Sequence, residues 1–260
     1  MRSIVIIGSG NLAEALALAV CEHPTLELRQ LMARNPERGA QIAAQCRCPW
    51  SSDPHTLATA DLYLIAVSDS AIAQVAASLP IPTDSAVVHT AGGIGIEALP
   101  DRLTRRGVFY PLQTFTRGRR VDFSRIPIFV EGNTEAFTQE LETFARQLSH
   151  TVYRADSERR ARLHLAAVFA CNFTNHLYTL GGEILHEADL PFEVLTPLIE
   201  ETASKAIDSK DPRRVQTGPA VRHDLPTMQK HGTILENKPH LKSIYESLSQ
   251  SIWETSKKTL

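Results

Sequence analysis

The sequence predicts an α/β domain built on a parallel sheet with helices on both faces, followed by an all-helical domain. Three observations carry that expectation. Short β-branched runs such as Ile4 to Ile7 alternate with helical stretches through the first half of the chain. Those runs are apolar on consecutive residues, as strands buried on both faces of a parallel sheet must be. After Asp156 the period-two alternation disappears, and helical stretches are separated by Pro191, Pro212, Pro219 and Pro239. The boundary falls near residue 153, giving an α/β domain over 1–153 and a helical domain over 154–260.

The elements follow in order. Ile4 to Ile7 is the first strand, and the residues after Gly10 have helical composition through Val20. Leu26 to Ala33 reads as the second strand. Pro36 to Gln45 reads as a helix, with proline in its first turn where a missing N–H costs nothing. Leu62 to Val67 and Ala86 to His89 are further strands around an alanine-rich helix from Ser70 to Leu79. Gly107 to Tyr110 and Ile126 to Val130 are strand-like, Thr134 to Leu148 is helical, and Thr151 to Tyr153 is the last strand. Repeated strand–helix alternation makes parallel βαβ units the economical arrangement. Asp156 to Ala188 reads as one long helix that Gly181-Gly182 kinks or ends.

Bulk properties exclude several classes. A chain of 260 residues with 43% hydrophobic content has material for a real core. A net charge of −2 without a long basic run gives no reason to expect nucleic acid. The local clusters Arg117 to Arg120, Glu158 to Arg162 and Lys257-Lys258 read as solvated faces. No run approaches the ~18 apolar residues of a membrane span, and the N-terminal apolar run lacks a signal peptide's cleavage pattern. Four irregularly spaced cysteines, Cys21, Cys46, Cys48 and Cys171, suggest reduced thiols in a cytoplasm and no metal centre.

Gly8-Ser9-Gly10-Asn11-Leu12-Ala13 has the form GxGxxA directly between a buried strand and a helix. That placement makes it a dinucleotide fingerprint. Gly8 permits the tight turn, Gly10 clears the path for a pyrophosphate, and Ala13 lets the helix pack close to the strand. Free N–H groups at the helix start then face the phosphates. A chain that prefers NAD usually carries an acid at the end of the second strand for the ribose hydroxyls. Here Arg34-Asn35 stand there, with Arg38 one turn into the next helix, so NADP is favoured over NAD through guanidinium–phosphate pairing.

Ligands of open α/β sheets sit outside the carboxyl ends of the strands. Those ends are Val67-Ser68-Asp69-Ser70, His89 to Gly93, and Tyr110 to Phe115, where Gln113 is a candidate for the pocket wall. His89 itself reads as a hydrogen-bonded structural group.

With these pieces in place, GSGNLA, AVSDSAI, HTAGG and YPLQTF resemble the bacterial proteins that join a Rossmann-like NADP-oxidoreductase domain to a helical C-terminal domain of unknown function. ARLHLAAVFACNFTNHLY and TGPAVRHD extend the resemblance over most of the chain. That family is similar in architecture to the 6-phosphogluconate dehydrogenase-like group, including pyrroline-5-carboxylate reductase and the β-hydroxyacid dehydrogenases. The resemblance implies that Gly8, Gly10, Asn11 and Leu12 hold the dinucleotide, with Val67, Ser68 and Thr90 toward the nicotinamide. It also implies a homodimer paired through the helical domain. One departure stands out: the KxxxN lysine of the β-hydroxyacid dehydrogenases, aligned on Asn172, is replaced by Val168.

Other residues must then handle the proton. His164, Val168, Asn172 and His176 recur every four residues and share one side of an α-helix, drifting ~40° per step. Their apolar surroundings predict burial, where unpaired polar groups are costly. His164 is the candidate proton donor, Asn172 the residue that fixes a carbonyl or imine, and His176 a substrate contact. Arg222, beside Asp224, could clamp a substrate carboxylate. The absence of a GxSxG elbow argues against a serine hydrolase. The expected activity is NADP-dependent hydride transfer to or from a small carbonyl, hydroxy or imine compound. The alternatives are an NADP-binding sensor without turnover and an oxidoreductase that couples NADP to a deazaflavin.

Overall fold

The computed structural model describes residues 1–257; Lys258 of the C-terminal basic pair lies outside them. The chain divides into two compact units, Met1–Asn172 and Phe173–Leu260.

In the first unit the strands are β1 (Ser3–Ile7), β2 (Glu27–Met32), β3 (Trp50–Ser51), β4 (Leu62–Ile65), β5 (Ala86–His89), β6 (Arg105–Pro111), β7 (Ile128–Gly132) and β8 (Val152–Arg154). They form one sheet in the order β3-β2-β1-β4-β5-β6-β7-β8. All neighbours are parallel except β6 and β7, which pair antiparallel. The two-residue edge strand β3 has no period for a sequence pattern to reveal.

The helices of this unit are α1 (Asn11–Glu22), α2 (Pro36–Cys46), α3 (Ile72–Ser78), α4 (Glu135–Leu148) and α5 (Ser157–Ala167). Alternate residues of each strand serve opposite faces. Ile4, Ile6, Leu62 and Leu64 pack with Leu16, Ile42, Phe137 and Phe144 from α1, α2 and α4. Val5, Ile7, Tyr63 and Ile65 pack on the other face with Ile72, Ala76, Leu99 and Leu103. Both faces are therefore dry, which explains why the strands read as continuous apolar runs.

The helix expected from Asp156 onward is interrupted where no glycine stands. A π-helical segment, Val168–Phe173, follows α5 and covers both Val168 and Asn172. Its wider turn breaks the four-residue register assumed for His164, Val168, Asn172 and His176, because i→i+5 bonding rotates the face. In the single chain Leu165 is 58% and Phe169 62% exposed.

In the second unit lie α6 (Thr174–His186), α7 (Thr196–Ser209), α8 (Leu225–Ile234) and α9 (Pro239–Lys257). Gly181 and Gly182 sit inside α6 without ending it, and the side chains of Leu195 and Phe192 pack against them. No helix among the described residues is long and apolar enough to cross a membrane.

Candidate functional site

The order β3-β2-β1-β4-β5-β6 reverses direction between β1 and β4, the switch point where open α/β sheets form a crevice. A cavity of about 490 Å³ lies there, outside the carboxyl ends of β1, β2 and β4. Gly8, Gly10, Asn11 and Leu12 line it together with Arg34 and Asn35, and Val67, Ser68 and Thr90 line it on the β4–β5 side.

The turn at its base has a distinct geometry. Gly8 has φ +134°, and a Cβ there would lie 2.0 Å from the Ala66 carbonyl oxygen. Gly10 has φ −73° and caps α1 without any side-chain hydrogen bond. A Cβ at Gly10 would meet nothing within 4 Å. The helix thus offers uncapped N–H groups to open space, the arrangement an anion requires. The Asn11 side chain is turned elsewhere, donating from Nδ2 to the Phe115 carbonyl at 3.0 Å.

At the far end, Arg34 is the one cation among the residues that line the cavity, and no carboxylate lines it. Asn35 caps α2, its Oδ1 accepting from the Arg38 N–H at 3.0 Å. Arg38, expected beside the ribose, is not brought to the cavity. Its guanidinium donates to Glu14 at 2.8 Å and to Gln41 at 2.7 Å. Glu14 is 5% exposed in the first turn of α1, and a carboxylate so buried needs that partner.

Beyond Thr90 the chain runs through Gly92-Gly93. His164, on α5, lies over this loop with Nδ1 3.2 Å from the Tyr110 hydroxyl. The two rings meet edge to face at 6.2 Å. A Cβ on Gly92 would fall 2.6 Å from Tyr110 Cζ and 2.9 Å from His164 Nδ1, so only glycine leaves room for the pair. Burial, with Asp69 adding to it, pushes the Tyr110 phenol above its usual pKa.

His89 is fully buried under the same loop. Its Nδ1 accepts from the Ala91 N–H at 3.2 Å, which leaves Nε2 as the donor to the Gly95 carbonyl at 3.2 Å. Both nitrogens are used in holding the loop. Burial lowers its pKa from 6.5 to about 4. An unfolded chain therefore binds a proton at pH values where the folded chain does not. The stability supplied by the neutral ring is complete above about pH 6.5 and declines as the pH falls toward 4, by on the order of 3 kcal/mol. Urea denaturation across that window should show His89→Asn losing less stability on acidification than the wild type.

Arg160 departs most from expectation. Its neighbours Arg159 and Arg162 are exposed, but its own side chain is 0% exposed and paired with Glu131. It also donates to the Ile94 carbonyl at 2.6 Å. Ser157 completes the latch, donating to Glu131 at 2.8 Å and accepting from the Ile96 N–H at 3.2 Å. The start of α5 is thereby tied to β7 and to the loop after β5.

Gln113 and Asn172, the remaining candidates of the first unit, lie at the surface. Gln113 is exposed and turns its Oε1 onto Thr114, accepting from that residue's N–H at 2.8 Å. Asn172 is exposed in the π segment. His176 and Arg222 are exposed residues of the second unit, where Asp224 caps α8 by accepting from the Thr227 N–H at 3.2 Å. Tyr110 stands at a strand end the sequence marked but gave no role, and Arg160 was not among the sequence candidates. The approach of Tyr110 to His164 across 54 positions leaves no local pattern.

A mostly parallel sheet with a glycine turn feeding an uncapped helix, and a cavity at its switch point, define a nicotinamide-dinucleotide-binding protein of the Rossmann type. Residues 3–93 match the family described as NADP oxidoreductase, coenzyme F420-dependent. Residues 126–252 match a domain of unknown function, DUF2520. BF3122 of Bacteroides fragilis, a candidate NADP oxidoreductase, is 40% identical, with 97% of this chain and 98% of that one covered at a TM-score of 0.91. The chain belongs to the family of NADP oxidoreductases in which this N-terminal domain is joined to DUF2520.

Two further structures share the fold at low identity. A reductive aminase from Aspergillus terreus, in complex with NADPH and ethyl levulinate, is 12% identical, with 99% and 94% of the two chains covered and a TM-score of 0.70. A 1-pyrroline-5-carboxylate reductase from Streptococcus pyogenes is 14% identical, with 98% of each chain covered and a TM-score of 0.60. No curated protein matches the chain.

Proposed function

We propose that the protein is an NADP-dependent oxidoreductase acting on a small carbonyl, hydroxy or imine compound. The observation that carries the reading is the cavity at the switch point, with Arg34 at its β2 end and no carboxylate among the residues that line it. Arg34 pairs a 2′-phosphate, and the N–H groups of α1 take the diphosphate. Residues 1–153 form the nucleotide-binding domain. A bound nicotinamide ring supplies or accepts the hydride. His164 holds the proton on Nε2 and passes it to the oxygen or nitrogen of the substrate. An imine is the favoured class within this range, because a reductive aminase and a pyrroline-5-carboxylate reductase share the fold.

The helical part pairs two copies into a homodimer. Leu198, Ile207 and Ile234 of the second unit are each more than 60% exposed in the single chain, a density of apolar surface that association would cover. The four thiols are unbridged, in keeping with a cytoplasmic setting.

Calorimetry with the two dinucleotides tests the cofactor. NADP is expected to bind at least tenfold more tightly than NAD, and Arg34→Gln to remove that difference, a loss of about 1.4 kcal/mol or more. Equal affinities in the wild type would overturn the assignment. Oxidation of NADPH against a panel of cyclic imines and keto acids tests turnover. A second reading rests on the description of the N-terminal family as coenzyme F420-dependent. An absorbance titration with that deazaflavin decides it.

A further inference from the structure

We propose that Tyr110 is the positioning residue for His164, holding Nδ1 so that Nε2 is the nitrogen that exchanges a proton with substrate. The inference rests on the oxidoreductase reading for the word substrate, and on the structure alone for the pair.

Four observations converge on it. The Tyr110 hydroxyl and His164 Nδ1 are 3.2 Å apart. Both rings occupy the space that a side chain at position 92 would need. His164 Cδ2, next to Nε2, runs along Gly93, 3.6 Å from where a Cβ would stand. Gly93 is exposed and His164 half-buried, while the Nδ1 edge of the ring faces the buried phenol. The loop that forms this floor begins at Thr90, which lines the dinucleotide cavity. The pair packs on Gly92, two residues beyond that cavity residue. Asp69, which follows the cavity residue Ser68, lies close enough for its charge to act on the phenol, as do Arg160 and Cys171.

A hydroxyl suits this task because it can serve either state of the ring. Its oxygen accepts from Nδ1–H of the imidazolium and goes on accepting from it in the neutral ring left when Nε2 has given up its proton. In the reductive direction the Nε2–H bond of the imidazolium breaks and its electron pair stays on Nε2. The proton joins the substrate's oxygen or nitrogen as the hydride reaches carbon. Nδ1 keeps its hydrogen, bonded to the Tyr110 oxygen, and the ring recovers its proton from solvent. Oxidation runs the same steps backwards. No side chain other than His164 changes its proton count.

The test compares wild type with Tyr110→Phe, which keeps the ring and removes only the hydroxyl. In ligand-free full-length protein labelled with ¹⁵N-histidine, assigned through His164→Asn, the Nδ1 resonance of His164 is expected to move in Tyr110→Phe. NADP affinity should stay unchanged. With NADPH and an accepted substrate, kcat should fall about a hundredfold with the KM for NADPH unaltered, as misplacement of a reacting group does. Gly92→Ala, which drives the rings apart without deleting either polar group, should show the same two signatures. An unmoved Nδ1 resonance would overturn the pair itself. A moved resonance with unchanged kcat would overturn its role in proton delivery. Wild-type protein that turns over no substrate would overturn the oxidoreductase reading and the delivery role together, while the ¹⁵N shifts still decide whether the pair exists.

Discussion

Gly8→Ala should unfold the first unit at a temperature on the order of 10 °C below the wild type. Two costs add at this position. The backbone has φ +134°, a region that residues with a side chain rarely adopt, and forcing one there costs about 1–3 kcal/mol. The new Cβ would also lie 2.0 Å from the Ala66 carbonyl oxygen. That oxygen belongs to backbone just past β4, and overpacking against rigid atoms costs about 1–3 kcal/mol more. Because β1 and β4 are neighbouring central strands, neither can shift without disturbing the sheet.

Gly10→Ala provides the contrast. Its φ of −73° suits alanine, and the added methyl meets nothing within 4 Å. Thermal denaturation should find the two proteins equally stable. Dinucleotide binding should nevertheless weaken tenfold or more, about 1.4 kcal/mol, because the methyl enters the space where a diphosphate approaches the α1 amides. If Gly10→Ala bound NADP as the wild type does, the turn would not be a diphosphate bed. Calorimetry and melting together thus separate a glycine the fold needs from one the ligand needs.

Arg160→Leu should cost about 3–5 kcal/mol, measured by urea unfolding with linear extrapolation. The guanidinium is completely buried, and its removal leaves the Glu131 carboxylate, on a side chain only 16% exposed, without a counter-charge. The Ile94 carbonyl loses its donor at the same time. A buried ion pair contributes little net stability as a pair, since desolvating two charges offsets their attraction. Breaking one half is costly because the other half stays behind. The double variant Arg160→Leu/Glu131→Leu should therefore recover part of the loss, and a cost equal to the sum of the two single variants would show that the residues are not coupled. The consequences reach the candidate site, because Arg160 lies one turn before His164 on α5. Releasing it frees the loop after β5 and the helix that carries the histidine.

Much of the fold was legible in order along the chain. Every strand with an apolar run of four or more residues was readable, because burial on both faces leaves a continuous signature. The glycine turn at the cavity was readable because GxGxxA stood between a strand and a helix, and the place of Arg34 on the cavity wall because it directly follows the second strand. Other features left no such trace. Arg160 sits in ERRAR beside two exposed arginines, and nothing local marks the middle one as buried. The antiparallel pairing of β7 and the two-residue β3 depend on neighbours the strands do not carry with them. The π turn overrode a four-residue spacing that looked regular in one dimension, and with it the shared face assigned to His164, Asn172 and His176.

Alone, the residue order determined the layered architecture, the position of the glycine turn and the sign of the charge at the β2 end of the cavity. These are properties of period, of backbone permissiveness and of single side chains, each written within a few adjacent residues. Tertiary structure alone decided which polar groups meet: Tyr110 with His164, Arg160 with Glu131, Arg38 with Glu14. Such meetings depend on the placement of strands and helices far apart in the chain, and a hydrogen bond a few tenths of an ångström too long is already weakened.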